Sequence, residues 1–380
     1  MENGIVNLIN HMPAGRYRHA IVCLTTYSDF CQRLNQPVEL IALHKRAGHD
    51  IGLYARLYRA FKRLKPAIVH TRNLSALESQ AVAAVAGVRG RVHGEHGRDI
   101  YDLHGKSRKY NFLRRAIRPL IKHYIAVSHD LEHWLIDTVH VRPARVSQIY
   151  NGVDSVKFAP RTQPRRDFGP PGFCLPAAWV IGSVGRMAQV KDHPGLTRAF
   201  LRLIALSPAA RARARLVILG DGVTREACLA LLKQADAEHL AWLPGERNDI
   251  APLMTQFDIF ALSSWGEGIS NTILEAMACG LPVVASDVGG NGELVDASIT
   301  GTLVPPADAE AMAQALLKYF EDPALAQTHG KAGRAKIEAQ FSMDAMVGGY
   351  LGVYDAVLGV DKSPCPPFSK GEPTNTHRGY

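Results

Sequence analysis

Residues 263–284 read SSWGEGISNTILEAMACGLPVV, a run that contains a strand end, a turn and a helix in succession. The apolar residues that end near Ala261 predict a buried strand, and a glycine-rich turn follows it. A short helix is then predicted to run to Gly280, which suits a left-handed helix cap, before Pro282 stops it. The turn therefore presents backbone N–H groups at a helix N-terminus.

Such a turn is an anion site suited to a diphosphate. Glu267 lies in the turn and Glu275 lies two helical turns further on, at most ~12 Å away at 1.5 Å per residue. One carboxylate can then accept hydrogen bonds from a sugar while the other binds ribose hydroxyls, the two ends of a nucleotide sugar. The alternative is that Glu267 only favours the helix dipole and that Glu275 is a surface charge.

Short apolar runs alternate with segments of helical periodicity, such as residues 52–64 and 77–85, along nearly the whole chain. This alternation predicts an α/β fold of parallel sheets covered by helices on both faces, with ligands at the carboxyl ends of the strands. The predicted strands are residues 19–24, 38–43, 67–70, 91–94, 124–127, 145–149, 179–184, 216–219, 259–261, 283–285 and 301–304.

Proline and glycine crowd together up to residue 176, which predicts a linker over residues 159–176 between two domains, 1–158 and 177–340. Residues 1–10 already have a helical pattern, so this series of strand–helix units begins without a first strand. Residues 359–380 have no apolar periodicity and are expected to be a disordered tail.

A second group of candidate residues follows the predicted strand at 179–184. Gly185 and Arg186 begin a loop that continues to Lys191 and leads into a helix. Two fixed cations aimed at a leaving diphosphate can stabilise developing charge as a metal ion would. No D-x-D triplet occurs in the sequence, which fits a metal-independent transfer without a cofactor. The alternative is a pair of solvated surface cations.

Composition restricts the class of protein. The 380 residues are 47% hydrophobic, which excludes general disorder, and no uninterrupted run of about 18 apolar residues predicts a membrane span. The length is that of a two-domain protein. Six cysteines are scattered without a C-x-x-C pair and no signal peptide precedes them, so a cytoplasmic protein with reduced thiols is expected.

The positive charge lies in the first part of the chain. Residues 1–160 contain 24 Lys and Arg against 12 Asp and Glu, a net +12, whereas the remainder is net −3. Between Lys106 and Lys122, cations alternate with apolar residues at helical spacing, which suits docking on an anionic membrane surface. A solvated basic helix face explains the pattern equally well. Nucleic acid is not expected as a partner, because no recognised binding motif accompanies the charge.

Together these motifs resemble glycosyltransferase family 4. The resemblance rests on the E-x7-E pair Glu267 and Glu275 with the EAMACGLPVV continuation, on G-R-x4-K at residues 185–191, and on the NGVD of residues 151–154. It covers roughly residues 1–357. It implies retaining transferases of the GT-B fold, with two Rossmann-like domains facing a cleft. Within the family the chain is most similar to sugar transferases of exopolysaccharide systems associated with exosortase and PEP-CTERM proteins.

The resemblance also implies a role for each matching residue. Glu267 would contact the transferred sugar, Glu275 the ribose, and Arg186 and Lys191 the diphosphate, with His96 reaching the reacting sugar from the first domain. The alternative for His96 is a structural histidine in a turn. The other implied donor-binding residues, which supply phosphate-binding amides or cradle the base, are Gly185, Gly268, Ile269, Ser270, Asn271, Gly245, Glu246, Arg247 and Asp249.

Two further expectations follow from the resemblance. Residues 341–358 resemble a helix that crosses back onto the first domain. Members of the family normally begin with a strand and a G-G-x-E loop. Here only the Glu of that loop has a counterpart, Glu2, so the chain is expected to be truncated or started at an internal methionine.

The expected reaction is retaining transfer of a sugar from a nucleoside diphosphate donor, UDP by resemblance, to a glycan or polyprenyl-diphosphate-linked acceptor. The protein is expected in the cytoplasm, at the inner membrane face. Two alternatives are a nucleotide-sugar epimerase of the same fold and a non-catalytic nucleotide-sugar-binding protein. A nicotinamide-dependent dehydrogenase is disfavoured because no G-x-G-x-x-G follows a predicted strand.

Overall fold

In a computed structural model of the chain, residues 2–48, 50–98, 101–103, 105–174 and 177–360 are described. The elements of the first half are, in chain order, α1 (Glu2–His11), β1 (His19–Cys23), β2 (Val38–Ala42), α2 (Ile51–Leu64), β3 (Ile68–Arg72), α3 (Asn73–Leu77), α4 (Ser79–Val85), β4 (Gly90–Glu95), α5 (Arg108–Ile117), β5 (His123–Ala126), α6 (His129–Asp137) and β6 (Val146–Gln148).

The second half continues with more helix than the first. Its elements are β7 (Trp179–Val184), α7 (His193–Leu206), α8 (Pro208–Arg213), β8 (Ala214–Leu219), α9 (Arg225–Gln234), β9 (Ala241–Gly245), α10 (Ile250–Met254), β10 (Ile259–Leu262), α11 (Asn271–Ala278), β11 (Val283–Ser286), α12 (Asn291–Leu294), β12 (Gly301–Val304), α13 (Ala309–Glu321), α14 (Pro323–Gln340) and α15 (Met343–Leu358).

The strands of the second half form a six-stranded parallel sheet in the order β12-β11-β10-β7-β8-β9. The five strands predicted here are confirmed, but β9 is missing from the prediction. Its sequence AWLPG ends in proline and glycine, which argue against a strand. Pro244 is tolerated because β9 is an edge strand, where the donor that proline lacks is not needed on the outer side.

In the first half, β3, β4, β5 and β6 form a four-stranded parallel sheet, and β1 and β2 form a separate parallel pair. All six predicted strands and the helix near the start of the chain are confirmed. No strand among the described residues hydrogen-bonds to both β1 and β3. The pair is instead attached through helix packing, since Leu57 and Phe61 of α2 share an apolar cluster with Val69 and Val22.

The segment between β6 and β7 packs closely on the second half. Phe173 is buried, and Arg334 of α14 donates to the carbonyl oxygens of Ser155 at 3.0 Å and Phe158 at 2.9 Å. Helix α15 then returns to the first half, where Tyr350 packs in a cluster with Val92. Gly359 caps this helix at φ +69°, and the predicted tail lies outside the described residues from residue 361 onward.

The structure corrects part of the predicted basic face on residues 106–122. Arg114 is 4% exposed and binds the buried Glu95 at 2.9 Å. Arg115 and Arg118 donate to the carbonyl oxygens of Thr138 and Val139 beyond the end of α6. Arg115 stays exposed despite these bonds, and the exposed cations for which no described residue provides a side-chain partner are Lys106, Arg108, Lys109 and Lys122.

Candidate active site

Four neighbouring strands bring the predicted donor-binding segments to one edge of the second sheet. Strands β10, β7, β8 and β9 are adjacent and parallel, so the segments that follow them end at the same edge. These segments are residues 263–270, 185–192, 220–222 and 245–249. Local sequence pattern identifies the strands before the first three segments, whereas residues 245–249 follow only from the family resemblance because β9 was not predicted. The strand order that brings the four together is seen only in the structure.

The turn before α11 has the geometry expected of an anion site. The Ser270 hydroxyl caps the helix and accepts from the Ile273 backbone N–H at 3.4 Å. No described residue accepts from the backbone N–H groups of Asn271 or Thr272, which are left for a ligand or solvent. Gly280 has φ +71°, which confirms the predicted left-handed cap.

Glu267 is held by two donors inside this turn. Its Oε1 accepts from Lys191 Nζ at 2.6 Å and from the Ser264 hydroxyl at 2.6 Å, and its side chain is 9% exposed. The sequence assigned Glu267 and Lys191 to different parts of a ligand. The structure joins them in one ion pair, so the lysine that faces the site also fixes the carboxylate.

The loops after β7 and β10 are connected by several hydrogen bonds. Ser263 donates to the carbonyl oxygens of Lys191 and Asp192, and the Trp265 indole donates to the Asp192 carboxylate at 3.0 Å. On the other side, a Cβ on Gly289 would lie 1.9 Å from the Glu267 carbonyl oxygen. Only glycine fits there, and the pair of glycines after β11 is the sequence signal that could have found it.

Arg186 differs from Lys191 in its surroundings. Its side chain is exposed at the start of the loop, and no described residue forms an ion pair with it. The Gly185 N–H donates to the Leu219 carbonyl at 3.0 Å, which fixes the loop against the end of β8. The two predicted cations are therefore one exposed guanidinium and one ammonium already paired with Glu267.

Glu275 is a half-buried carboxylate on α11. Burial raises its pKa to about 7, although the positive charges of Lys157 and Arg33 lower the pKa to a smaller extent. No described residue hydrogen-bonds to the carboxylate. Glu275 is therefore not the simple surface charge given above as the alternative, because a solvated carboxylate keeps its ordinary pKa.

The loop predicted to cradle a base is exposed and internally paired. Arg247 binds Asp249 through two hydrogen bonds, at 2.8 and 2.7 Å, and Glu246 is exposed beside them. The Arg247 guanidinium lowers the pKa of Asp249. Gly245 has φ +85° and its carbonyl accepts from Gly220, so the loop lies beside the turn that follows β8.

His96 brings the first half to the edge of this site. A Cβ on Gly268 would lie 2.4 Å from the His96 carbonyl oxygen, so the two backbones meet where only glycine fits. The His96 N–H donates to Asn73 at 2.7 Å. Burial, with the nearby charge of Arg72, lowers the pKa of His96 well below its usual range and keeps the ring neutral.

Comparison with known proteins identifies the family. The model "Glycosyltransferase Family 4" matches residues 1–157 and "Glycosyl transferases group 1" matches residues 178–322. The UDP-Gal:alpha-D-GlcNAc-diphosphoundecaprenol alpha-1,3-galactosyltransferase of Escherichia coli is 30% identical over 283 residues, 73% of this chain and 72% of that protein. The chain belongs to the family 4 glycosyltransferases. The N-acetyl-alpha-D-glucosaminyl L-malate synthase of Bacillus anthracis is 27% identical to this glycosyltransferase, over 70% of the chain and 68% of that protein.

Solved structures confirm the predicted GT-B fold with two Rossmann-like domains. A glycosyltransferase from Rickettsia africae superposes on this glycosyltransferase with a TM-score of 0.78 at 20% identity, covering 95% of both chains. Anabaena Alr3699/HepE in complex with UDP and glucose gives a TM-score of 0.77 at 20% identity, covering 93% of this chain and 95% of that one.

Glu293 is a cleft residue of this glycosyltransferase that sequence reasoning missed. From α12 in the second half, its carboxylate accepts from the backbone N–H groups of His129 at 2.9 Å and Asp130 at 3.0 Å, and from the Tyr150 hydroxyl at 2.9 Å. It therefore caps the N-terminus of α6 across the cleft. Nothing local marks the residue, because its partners lie more than 140 positions earlier in the chain.

The described residues of this glycosyltransferase contain neither a metal-binding cluster nor a membrane-spanning helix. No group of three or more His, Cys, Asp or Glu side chains is placed to hold a metal ion. None of the described helices has the length and apolar character needed to cross a membrane.

Proposed function

We propose that this glycosyltransferase moves a sugar from a UDP-sugar to a hydroxyl of a glycan or polyprenyl-diphosphate-linked acceptor, with retention at the anomeric carbon and without a metal ion or other cofactor. The pathway is exopolysaccharide or cell-envelope synthesis in bacteria. The relatives' names, such as the diphosphoundecaprenol galactosyltransferase, support the acceptor class. An assignment to exosortase-associated systems stays a prediction from the motifs.

The observation that carries the proposal is the Lys191–Glu267–Ser264 cluster at the N-terminus of α11, with His96 beside it across Gly268. A carboxylate fixed by two donors can orient a bound sugar through its hydroxyls. The unpaired amides of α11 and the exposed Arg186 suit the diphosphate that leaves. The half-buried Glu275 suits ribose hydroxyls further along the same helix.

The proposed step is attack from the face that the diphosphate leaves. The bond between the anomeric carbon and the phosphate oxygen breaks, and the acceptor oxygen bonds to the same carbon. The acceptor's proton passes to the leaving diphosphate oxygen, so no protein base is required. Arg186 and Lys191 stabilise the charge that grows on the diphosphate, and Glu267 holds the sugar while its ring becomes cationic.

Replacing Glu267 or Lys191 by Ala tests this assignment. Each variant should lose at least a hundredfold in turnover, the usual cost of removing one fixed electrostatic group at a transition state. Turnover is measured as UDP release from a panel of UDP-sugars with a lipid-diphosphate sugar acceptor, and the product anomer is identified by NMR. The thermal unfolding midpoint should change little in comparison.

The matched controls are Glu238→Gln and Lys233→Gln, which are exposed on the same half of the molecule. They should transfer at the wild-type rate. Near-normal transfer by the Glu267 or Lys191 variant would contradict the proposed roles. Conversion of the UDP-sugar to its epimer without acceptor would point to the epimerase instead.

We also propose that the first half docks on an anionic membrane, where a polyprenyl-linked acceptor resides. Four exposed cations, Lys106, Arg108, Lys109 and Lys122, support this, together with Phe112 of α5, which is 74% exposed. Beside them, a groove of about 490 Å³ between α2, α4 and α5 offers apolar surface, lined by Tyr54, Tyr58, Val82, Val85, Leu113 and Ile117.

Liposome flotation tests this surface with neutral vesicles and with vesicles containing anionic lipid. The wild type should float only with the anionic vesicles, and replacing all four exposed cations by Gln should abolish flotation. The matched control replaces four exposed cations of the second half, Arg211, Lys233, Lys318 and Lys331, and should float normally. Binding that ignores lipid charge, or equal loss in both sets, would reject the assignment.

A further inference from the structure

Arg72 is a nearly buried cation for which the described residues provide no anionic partner. It is the last residue of β3 and is 8% exposed. Among the described residues, no carboxylate lies within ion-pair distance of its guanidinium and no acceptor hydrogen-bonds to it. Burying a cation without a partner is unfavourable, and this favours an anionic ligand that supplies the missing negative charge.

Two histidines form a polar cluster with Arg72. The Nε2 atoms of His70 and His96 are both buried without a hydrogen-bond partner. Both point to the same place, because a Cβ on Gly94 would lie 2.7 Å from His96 Nε2 and 3.0 Å from His70 Nε2. Gly94 is the register partner of Arg72 in the β3–β4 ladder. The three side chains therefore converge at the carboxyl end of the first sheet.

The ring of Tyr350 lies against this cluster on one side. The Arg72 guanidinium carbon lies 5.8 Å from the centre of the ring, and the His70 ring centre lies 5.8 Å from it. His70 and Arg72 are two residues apart on one strand, so both side chains leave the same face of the sheet. The cluster thus comprises one cation, two imidazoles and an aromatic ring.

The protonation of the histidines suits an anion. Burial, with the charge of Arg72, lowers the pKa of both His70 and His96 well below their usual range, so both rings are neutral. His70 Nδ1 lies 2.8 Å from the Tyr354 hydroxyl. In the tautomer that accepts this hydroxyl proton, Nε2 carries the ring hydrogen and is a donor on the side of Gly94.

The cluster adjoins the transfer site from the first half. The backbone of His96 contacts Gly268, the residue after Glu267, whereas the cations assigned to the donor lie on the second half. We propose that Arg72, with His70 and His96, binds a phosphate group of the acceptor substrate. This inference rests on the proposed function and adds to it that the acceptor is recognised through its own phosphoryl charge.

The binding test uses the full chain saturated with UDP, so that the donor site is filled, and inorganic pyrophosphate as the probe. Calorimetry should detect one pyrophosphate per wild-type chain, at least tenfold weaker binding to Arg72→Gln, and an intermediate loss for Arg72→Lys. The control Arg211→Gln, exposed on the second half, should match the wild type. UDP itself should bind all four proteins equally.

Either of two results would overturn the proposal. Equal pyrophosphate affinity in wild type and Arg72→Gln would show that Arg72 holds no phosphate. A tenfold loss of UDP affinity in Arg72→Gln would show that it belongs to the donor site. If Arg72→Gln does not fold, the same comparison of pyrophosphate and UDP affinity is made with Arg72→Lys, which keeps the charge.

A transfer assay separates the acceptor from free phosphate as the source of the anion. With a phosphorylated sugar acceptor, Arg72→Gln should lower kcat/KM at least tenfold through KM, a much larger loss than with the neutral sugar. Equal losses with both acceptors would reject the inference. Failure of the wild type to transfer to either acceptor would reject the proposed function instead, and the pyrophosphate result would still stand by itself.

Discussion

Glu275 is a carboxylate whose surroundings oppose its charge. Burial raises its pKa to about 7, whereas an unfolded chain releases the same proton near the ordinary glutamate value. The folded protein therefore holds one proton more than the unfolded chain between about pH 4.5 and 7. Over this interval the wild type loses stability as the pH rises, and above it the loss is complete.

Glu275→Gln should remove this loss because the amide carries no charge. At pH 8.5 the variant should be more stable than the wild type by roughly 1–3 kcal/mol, and at pH 4 the difference should be small. Denaturant unfolding over this pH range measures it, with the exposed Glu238→Gln as control. A difference that does not depend on pH would contradict the assignment of the raised pKa to Glu275.

Single residues also show where sequence reasoning succeeds and where it stops. The positions of Glu267 in a turn and of Lys191 in a loop follow from local pattern, because each lies beside a short apolar run. Their ion pair joins residues 76 positions apart, and no local pattern encodes it. For the same reason the cluster around Arg72 was not predicted, since β3, β4 and α15 meet there only in the folded chain.

At the scale of elements, α5 buries polar residues that its sequence pattern predicts to be exposed. Its alternating basic and apolar residues predict cations outside and apolar side chains inside. Instead Asn111 and Arg114 are buried while Phe112 is exposed. The cause is Glu95 at the end of β4, which is itself buried; burial opposes its charge, but His93 and Arg114 lower its pKa below the usual range.

Arg114→Met should destabilise the protein by about 3–5 kcal/mol because it leaves the Glu95 charge buried without its main partner. Arg108→Met, exposed on the same helix, should change the free energy of unfolding by less than about 0.5 kcal/mol. Denaturant titration gives both values. Adding Glu95→Gln to Arg114→Met should recover part of the loss, and an unaltered midpoint for Arg114→Met would refute the account.

At the scale of the whole molecule, Glu293 joins the two halves. It accepts from two backbone amides at the N-terminus of α6 and from the Tyr150 hydroxyl, all in the first half. Hydrogen bonds to a charged group contribute about 1.5–3 kcal/mol each. This partly buried carboxylate therefore supplies a polar contact between the halves, beside the apolar cluster that Leu131 of α6 shares with Ile269 of the second half.

Glu293→Ala should shift the cleft towards an open state by about 2 kcal/mol, close to thirtyfold in the equilibrium between the states. Small-angle scattering should show a larger radius of gyration, and kcat/KM should fall while the thermal midpoint changes little. The control Glu238→Gln should keep the wild-type radius. A Glu293→Ala protein with wild-type radius and turnover would show that closure does not depend on this residue.

The overall architecture is largely readable from the sequence, because parallel strands buried on both faces give short apolar runs separated by helical periods. The prediction fails where that signal is weak. Strand β9 carries proline and glycine at an edge, and the contacts between the halves, such as Glu293 with α6, join segments far apart in the chain. Strand order is equally invisible in local patterns.

The separate pairing of β1 with β2 has a consequence for local opening. A two-stranded parallel pair has few ladder hydrogen bonds of its own and depends on α2 and α4 for its apolar cover. Regions with few buried contacts open at lower free energy than the global transition. Backbone amides of β1 and β2 therefore exchange with deuterated solvent well before those of β7 and β8, which lie inside the six-stranded sheet.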